Sequence, residues 1–105
     1  MTQLALDMCA GNELALRNKQ MRSVYSEILS HAVGQPATLA KVKAMQQRWF
    51  AYAAAYLEAL YPAANKRFEY GSMYPMEFAL ARAELVAQHI MDLKAFLANL
   101  KNRSH

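Results

Sequence analysis

Cysteine is nearly absent from this sequence: Cys9 stands alone among 105 residues. One thiol closes no internal disulfide. It also cannot build a structural zinc site, which draws on about four ligands. Glycine and proline are equally sparse, three of each, so few points can break a helix. Gly34, Pro36, Pro62, Gly71 and Pro75 mark the breaks and leave long uninterrupted segments between them. No run approaches the ~20 apolar residues of a membrane-spanning helix. Residues 1–10 lack a basic start and a long apolar stretch, so they are not expected to act as a secretory signal. LALDMC is a poor lipoprotein box, because Asp7 and Met8 precede Cys9 with no apolar stretch before them. The chain then fits either of two settings: the cell envelope, if a signal has been trimmed, or the cytoplasm.

The chemistry-bearing patterns are missing as well. There is no glycine-rich phosphate loop. His31, His89 and His105 do not have metal-ligand spacing, and no nucleophile lies near Glu58, Glu77 or Glu84. No catalytic residue, metal or cofactor is expected. Cys9 has no flanking cation to activate it and reads as a buried or leftover thiol. His89 and Asp92, one helical turn apart, read as a solvated pair.

Hydrophobic residues, by contrast, make up 55% of the chain, enough for one domain over residues 1–105 with a core of its own. Their spacing is helical. Leu14, Asn18, Met21, Tyr25, Ile28 and Ala32 recur by threes and fours, with Val24 and Leu29 widening the face. Asn12 is the expected N-cap, so the first long helix is placed at about 12–32. A second, at 38–60, carries Leu39, Val42, Gln46, Trp49, Ala53, Tyr56 and Leu60 on one face. Ala51, Ala53, Ala54 and Ala55 thin its C-terminal half for close approach by a neighbour. A third, at 73–101, is capped by Ser72 and holds Met76, Ala79, Ala83, Val86, Ile90, Leu93, Leu97 and Leu100. Nothing reads as a strand. The expected fold is all-α, an antiparallel three-helix bundle, with a dimerising helical hairpin as the alternative.

Several motifs, taken in order, resemble the LprI family of small exported bacterial domains, named for a lysozyme-inhibitor lipoprotein. They are Thr2-Gln3, Leu6-Asp7 and Cys9-Ala10, then Asn18, Met21-Arg22 and Tyr25 at matching distances. Gln46 and Trp49 fit the family's Q-x-x-W. Residues 70–76, YGSMYPM, look like the glycine-serine turn opening its last helix, and Glu84-Leu85 and Asp92-Leu93 fit that helix's end. The chain departs from the pattern after the tryptophan. Ala53-Ala54 replace an Arg-Asp pair, and Leu57 and Ala81 stand where cysteines belong, which leaves Cys9 without its family partner. The resemblance implies a non-enzymatic domain that binds another protein, such as a muramidase or a cell-wall-cleaving toxin.

The candidate contact residues lie in the connection at 61–74: Lys66, Arg67, Phe68, Tyr70 and Tyr74. Tyr and Arg are favoured interface anchors. Aromatic residues are also what a long connection uses to pin itself to a bundle, and the two readings have equal support. Tyr25, Gln46, Trp49, Gly71 and Ser72 are the structural set. Trp49 reads as a buried indole whose N–H is accepted by Gln46, in preference to a ligand-contacting pair. Met73 and Met91 suggest an adaptable surface, whereas Met76 reads as packing. Twelve Lys and Arg against eight Asp and Glu give +4. Lys41, Lys43 and Arg48 with Lys66 and Arg67 could form one basic surface. A solvated face is favoured, an acidic protein partner comes next, and nucleic acid is disfavoured because the aromatics do not interleave with the charges.

Overall fold

The computed structural model describes residues 1–103. Four helices occupy them: α1 (Gln3–His31), α2 (Pro36–Leu60), α3 (Lys66–Tyr70) and α4 (Tyr74–Arg103). The all-α class holds. Two boundaries do not. α1 begins nine residues before the expected start, and the connection at 61–74 contains a helical turn of its own.

Thr2, in place of Asn12, starts α1. Its side chain accepts the Ala5 N–H at 3.1 Å, satisfying one of the donors that a helix start leaves unpaired. Gln3 Nε2 then donates to Asp7 Oδ1 at 2.8 Å. No strong breaker follows, since Gly11 costs a helix only about 1 kcal/mol, so Asn12 lies exposed in mid-helix. The helix ends where the Ala32 N–H reaches Ile28 O and Leu29 O. Gly34, at φ 85°, makes the left-handed turn that other residues resist. Pro36 opens α2 at a position where its missing N–H is not needed.

α1 and α4 run in the same direction and pack closely. Glu13 and Arg17 lie beside Leu80–Ala87, Val24 beside Ile90 and Lys94, and Glu27 reaches Lys101 at 3.9 Å. α2 runs the other way, with Thr38 and Lys41 near Phe96 and Arg103 and Tyr56 and Leu60 near Ala81 and Leu85. The core gathers Met21, Val24 and Ile28 from α1, Val42 from α2, and Val86, Ile90, Leu93, Leu97 and Leu100 from α4. Ile28 and Val86 are fully buried. Tyr25 and Trp49 pack against this cluster while half-buried.

The expected α2 stripe fails at its C-terminal end. Leu57 is buried, whereas Tyr56 and Leu60 are exposed. At 3.6 residues per turn, steps from Ala53 to Tyr56 and to Leu57 stay equally near the stripe, so packing against the neighbouring helices, and not the repeat, selects Leu57. Of the four alanines expected to thin this half, Ala53 is buried, whereas Ala51, Ala54 and Ala55 face solvent. Close approach occurs instead between α1 and α4, where Ala83 and Ala87 offer little bulk. The result is an elongated slab of 53 × 28 × 16 Å. Its radius of gyration of 16.8 Å exceeds the ~13 Å usual for a chain of this length.

Candidate protein-binding site

The site is the connection from α2 to α4, built around α3. Asn65 caps α3 by accepting the Phe68 N–H at 3.2 Å. Lys66 does not face outward as a free cation. Its ammonium donates to Tyr61 O at 2.7 Å and Ala63 O at 3.0 Å, and sits 3.2 Å from Glu58 Oε1. The Tyr61 carbonyl caps the negative pole of α2, where a cation is favoured, and the Ala63 carbonyl belongs to the connection beyond it. Tyr70 adds a second clip: its hydroxyl oxygen accepts the Ala63 N–H at 2.9 Å.

Aromatic rings close the connection against α4. Tyr61 and Tyr70 are 5.3 Å apart, Tyr61 and Tyr74 5.2 Å, and Tyr70 and Tyr74 5.7 Å between centroids. Phe78 continues the series 5.8 Å from Tyr74. Edge and tilted arrangements of this kind suit the ring quadrupoles. Removal from water, then the charges of Glu77, Tyr74 and Tyr70, push the Tyr61 hydroxyl above its ordinary pKa. Gly71 ends α3 at φ 76°, ψ −167°, a region essentially confined to glycine. Gly71 and Ser72 are both exposed. They belong to the turn and not to the core, and Ser72 precedes an α4 that starts only at Tyr74.

The five candidate residues therefore separate by task. Lys66, Tyr70 and Tyr74 hold the connection in place. Arg67 is exposed, and Phe68 is 81% exposed at the crest of the turn. An aromatic ring held in water on a braced turn loses apolar burial with no internal return.

A second cluster sits inside the molecule. His89 Nε2 and Gln46 Oε1 are 2.7 Å apart. An amide oxygen accepts, so the imidazole donates from Nε2. The Trp49 indole stacks on that imidazole with centroids 4.2 Å apart and planes 9° from parallel. Gln46 is thus spent on His89 and not on the indole. His89 is only 7% exposed, which corrects its reading as a solvated partner of Asp92. Burial lowers its pKa, and the Asp92 charge offsets this in part. His89 lies one turn from Val86 and Leu93 on the buried face of α4. That position was the available signal, and spacing to Asp92 obscured it.

Cys9 is exposed rather than buried, as are His31, Met73 and Met91, and Met76 is half-buried. His105 lies outside the described residues. The cations at the two ends of α2 do not meet in one basic surface, in keeping with the solvated face favoured for them. Lys41 stands by the end of α4, whereas Lys66 and Arg67 are past the far end of α2, about 30 Å away along a helix rising 1.5 Å per residue. Among the described residues no helix is long and apolar enough to cross a membrane.

Comparison with curated proteins and with solved structures returned no match. The family model described as "Lysozyme inhibitor LprI" matches residues 1–93. That span takes in Cys9, Gln46, Trp49, all of α3 and α4 as far as Leu93, and the chain belongs to the LprI family.

Proposed function

We propose that this chain is a non-enzymatic protein-binding domain that occludes the cleft of a lysozyme-like cell-wall hydrolase, as an inhibitor or as an immunity protein against a muramidase toxin. Membership of the LprI family supports the class of partner. The observation that carries the contact surface is Phe68, exposed beside Arg67 on a turn that Lys66 and Tyr70 brace. A braced turn loses little conformational entropy on binding, and an aromatic–arginine pair is the kind of anchor that dominates small interfaces. The three long helices act as an antiparallel up-down-up scaffold for it, a reading supported by the Gln46–His89 and Glu27–Lys101 pairings. Inhibition is steric and uses no chemistry. A chain of net charge +4 approaches a basic lysozyme unfavourably, so a less basic target is expected.

A turbidity assay of cell-wall lysis tests this. The full chain in excess slows lysis by a susceptible muramidase, and Phe68→Ala relieves the block. Undiminished lysis across acidic and basic muramidases at large excess sinks the inhibitor reading. A second reading, a helical interaction module that pairs with its own copy, is favoured by exposed Phe50, Tyr52, Tyr56 and Leu60 on α2. Sedimentation equilibrium checks it. A mass that rises with concentration supports self-association, and a constant monomer mass removes it.

A further inference from the structure

The end of the molecule opposite α3 carries a cleft with a different chemistry. It lies between the first turns of α2 and the last turns of α4, with a volume of about 380 Å³. Met45 and Phe96 line it with apolar surface over the buried Val42, and Lys41, Arg103 and Thr38 add charged and polar groups. Among the described residues no carboxylate lines it. Lys41 and Arg103 have no ion-pair partner among the described residues, where the pairs are Arg17–Glu13, Lys66–Glu58 and Lys101–Glu27. α2 has no acidic residue in its first turn, so nothing there neutralises the positive pole of that helix. Two cations, a hydroxyl and an apolar floor converge on one volume near the lower end of the ~300–1,000 Å³ typical of small-molecule sites.

A neighbouring cleft shows that this combination is not a general property of the surface. Between α1 and α4, Arg17 and Lys94 also border apolar residues, but Arg17 is neutralised by Glu13 at 2.9 Å.

We infer that the α2–α4 cleft binds a single-chain organic anion: an apolar body laid on Met45 and Phe96, with one carboxylate, sulfonate or phosphate held between Lys41 and Arg103. The guanidinium takes an oxyanion in bidentate fashion and the ammonium adds a point charge. A volume of this size accommodates one short chain, so a free fatty-acid-like anion is the occupant and a two-chain lipid in a bilayer is not. The site lies at the opposite end from Phe68 and operates independently of the contact proposed there.

Decanoate, titrated into the full chain below its micellar concentration, is the probe. Calorimetry returns one saturable site. Amide shifts in a ¹⁵N-labelled sample centre on Thr38, Lys41 and Phe96. Lys41→Glu and Arg103→Glu each weaken binding by about fivefold or more, a change expected for reversing one exposed charge beside an anion. Lys94→Glu leaves it unchanged. Decanol, with the same chain and no charge, binds more weakly than decanoate. Unchanged thermal midpoints show that the two charge reversals fold. Binding that decanol matches, shifts centred on Phe50 and Tyr56, equal affinity in both reversals, or association with phosphatidylglycerol vesicles without decanoate binding overturns the assignment.

Discussion

The two ends of this slab divide aromatic and basic character between them. At the α3 end lie Tyr61, Phe68, Tyr70, Tyr74 and Phe78, and Lys66 is consumed by carbonyls and Glu58. Asp7, Glu13, Glu58, Glu69, Glu77 and Glu84 balance the cations of that half. At the other end Arg22, Lys41, Lys43, Lys94, Lys101 and Arg103 face only Glu27 and Asp92. The net charge of +4 is therefore a local property of one end. At the aromatic end polar groups are used to fasten a connection. At the basic end Lys101 reaches Glu27, and Lys41 and Arg103 have no ion-pair partner among the described residues. The core runs between them, richest where Ile28, Val42, Leu93 and Leu97 meet.

The largest effect expected from a single change lies in that core. Ile28→Ala, at a fully buried position, costs about 2–5 kcal/mol, read by denaturant unfolding. A cost below 1 kcal/mol would mean that the core is not concentrated toward the basic end. Gly71→Ala comes next. A Cβ there meets nothing within 4 Å, so the cost of about 1–3 kcal/mol is backbone strain. It should appear as lost hydrogen-exchange protection in residues 63–74. Lys66→Ala removes the partly exposed clip at about 1 kcal/mol, again localised to the connection. Global unfolding by Lys66→Ala would show that the aromatic end is not a separate fastening.

The pH dependence has a definite sign. His89 has a lowered folded-state pKa, so the unfolded chain takes up its proton first as pH falls. Its contribution is fully present above the ordinary value near 6.5 and is lost as pH falls from there through the lowered folded value. The midpoint of thermal unfolding should fall between pH 7.5 and pH 5, and His89→Leu should flatten that dependence. Trp49 is the only tryptophan and stacks on the ring, so its fluorescence should follow the same titration. The smallest effect on stability is Phe68→Ala, within about 0.5 kcal/mol, despite its expected effect on partner binding.

Much of the architecture was legible one helix at a time. Met21, Ile28, Val42, Val86 and Leu93 were placed inside by spacing, and they are buried. The start of α1 was not, because a threonine cap at residue 2 and an asparagine at residue 12 are equally good local signals. Only the continuation of the helix separates them. Tyr56 was misplaced for a related reason: steps of three and four both satisfy a helix stripe, and the neighbour decides which one is buried. At the candidate site, sequence singled out the segment. It could not divide Lys66 from Arg67, because which cation turns inward depends on where the carbonyls of Tyr61 and Ala63 end up.

Sequence alone determined that this chain is all-α, which side of α1, α4 and the first half of α2 is apolar, and where the breaks between the long helices fall. Those properties arise within a few residues, from a 3.6-residue repeat and the dihedral limits of proline and glycine. Tertiary structure decided the partners. His89 meets Gln46 across 43 positions, and Lys41 shares a cleft with Arg103. Such pairings depend on the register between whole helices, which is set by the packing of α4 against α1 and α2 and leaves no periodic trace along the chain.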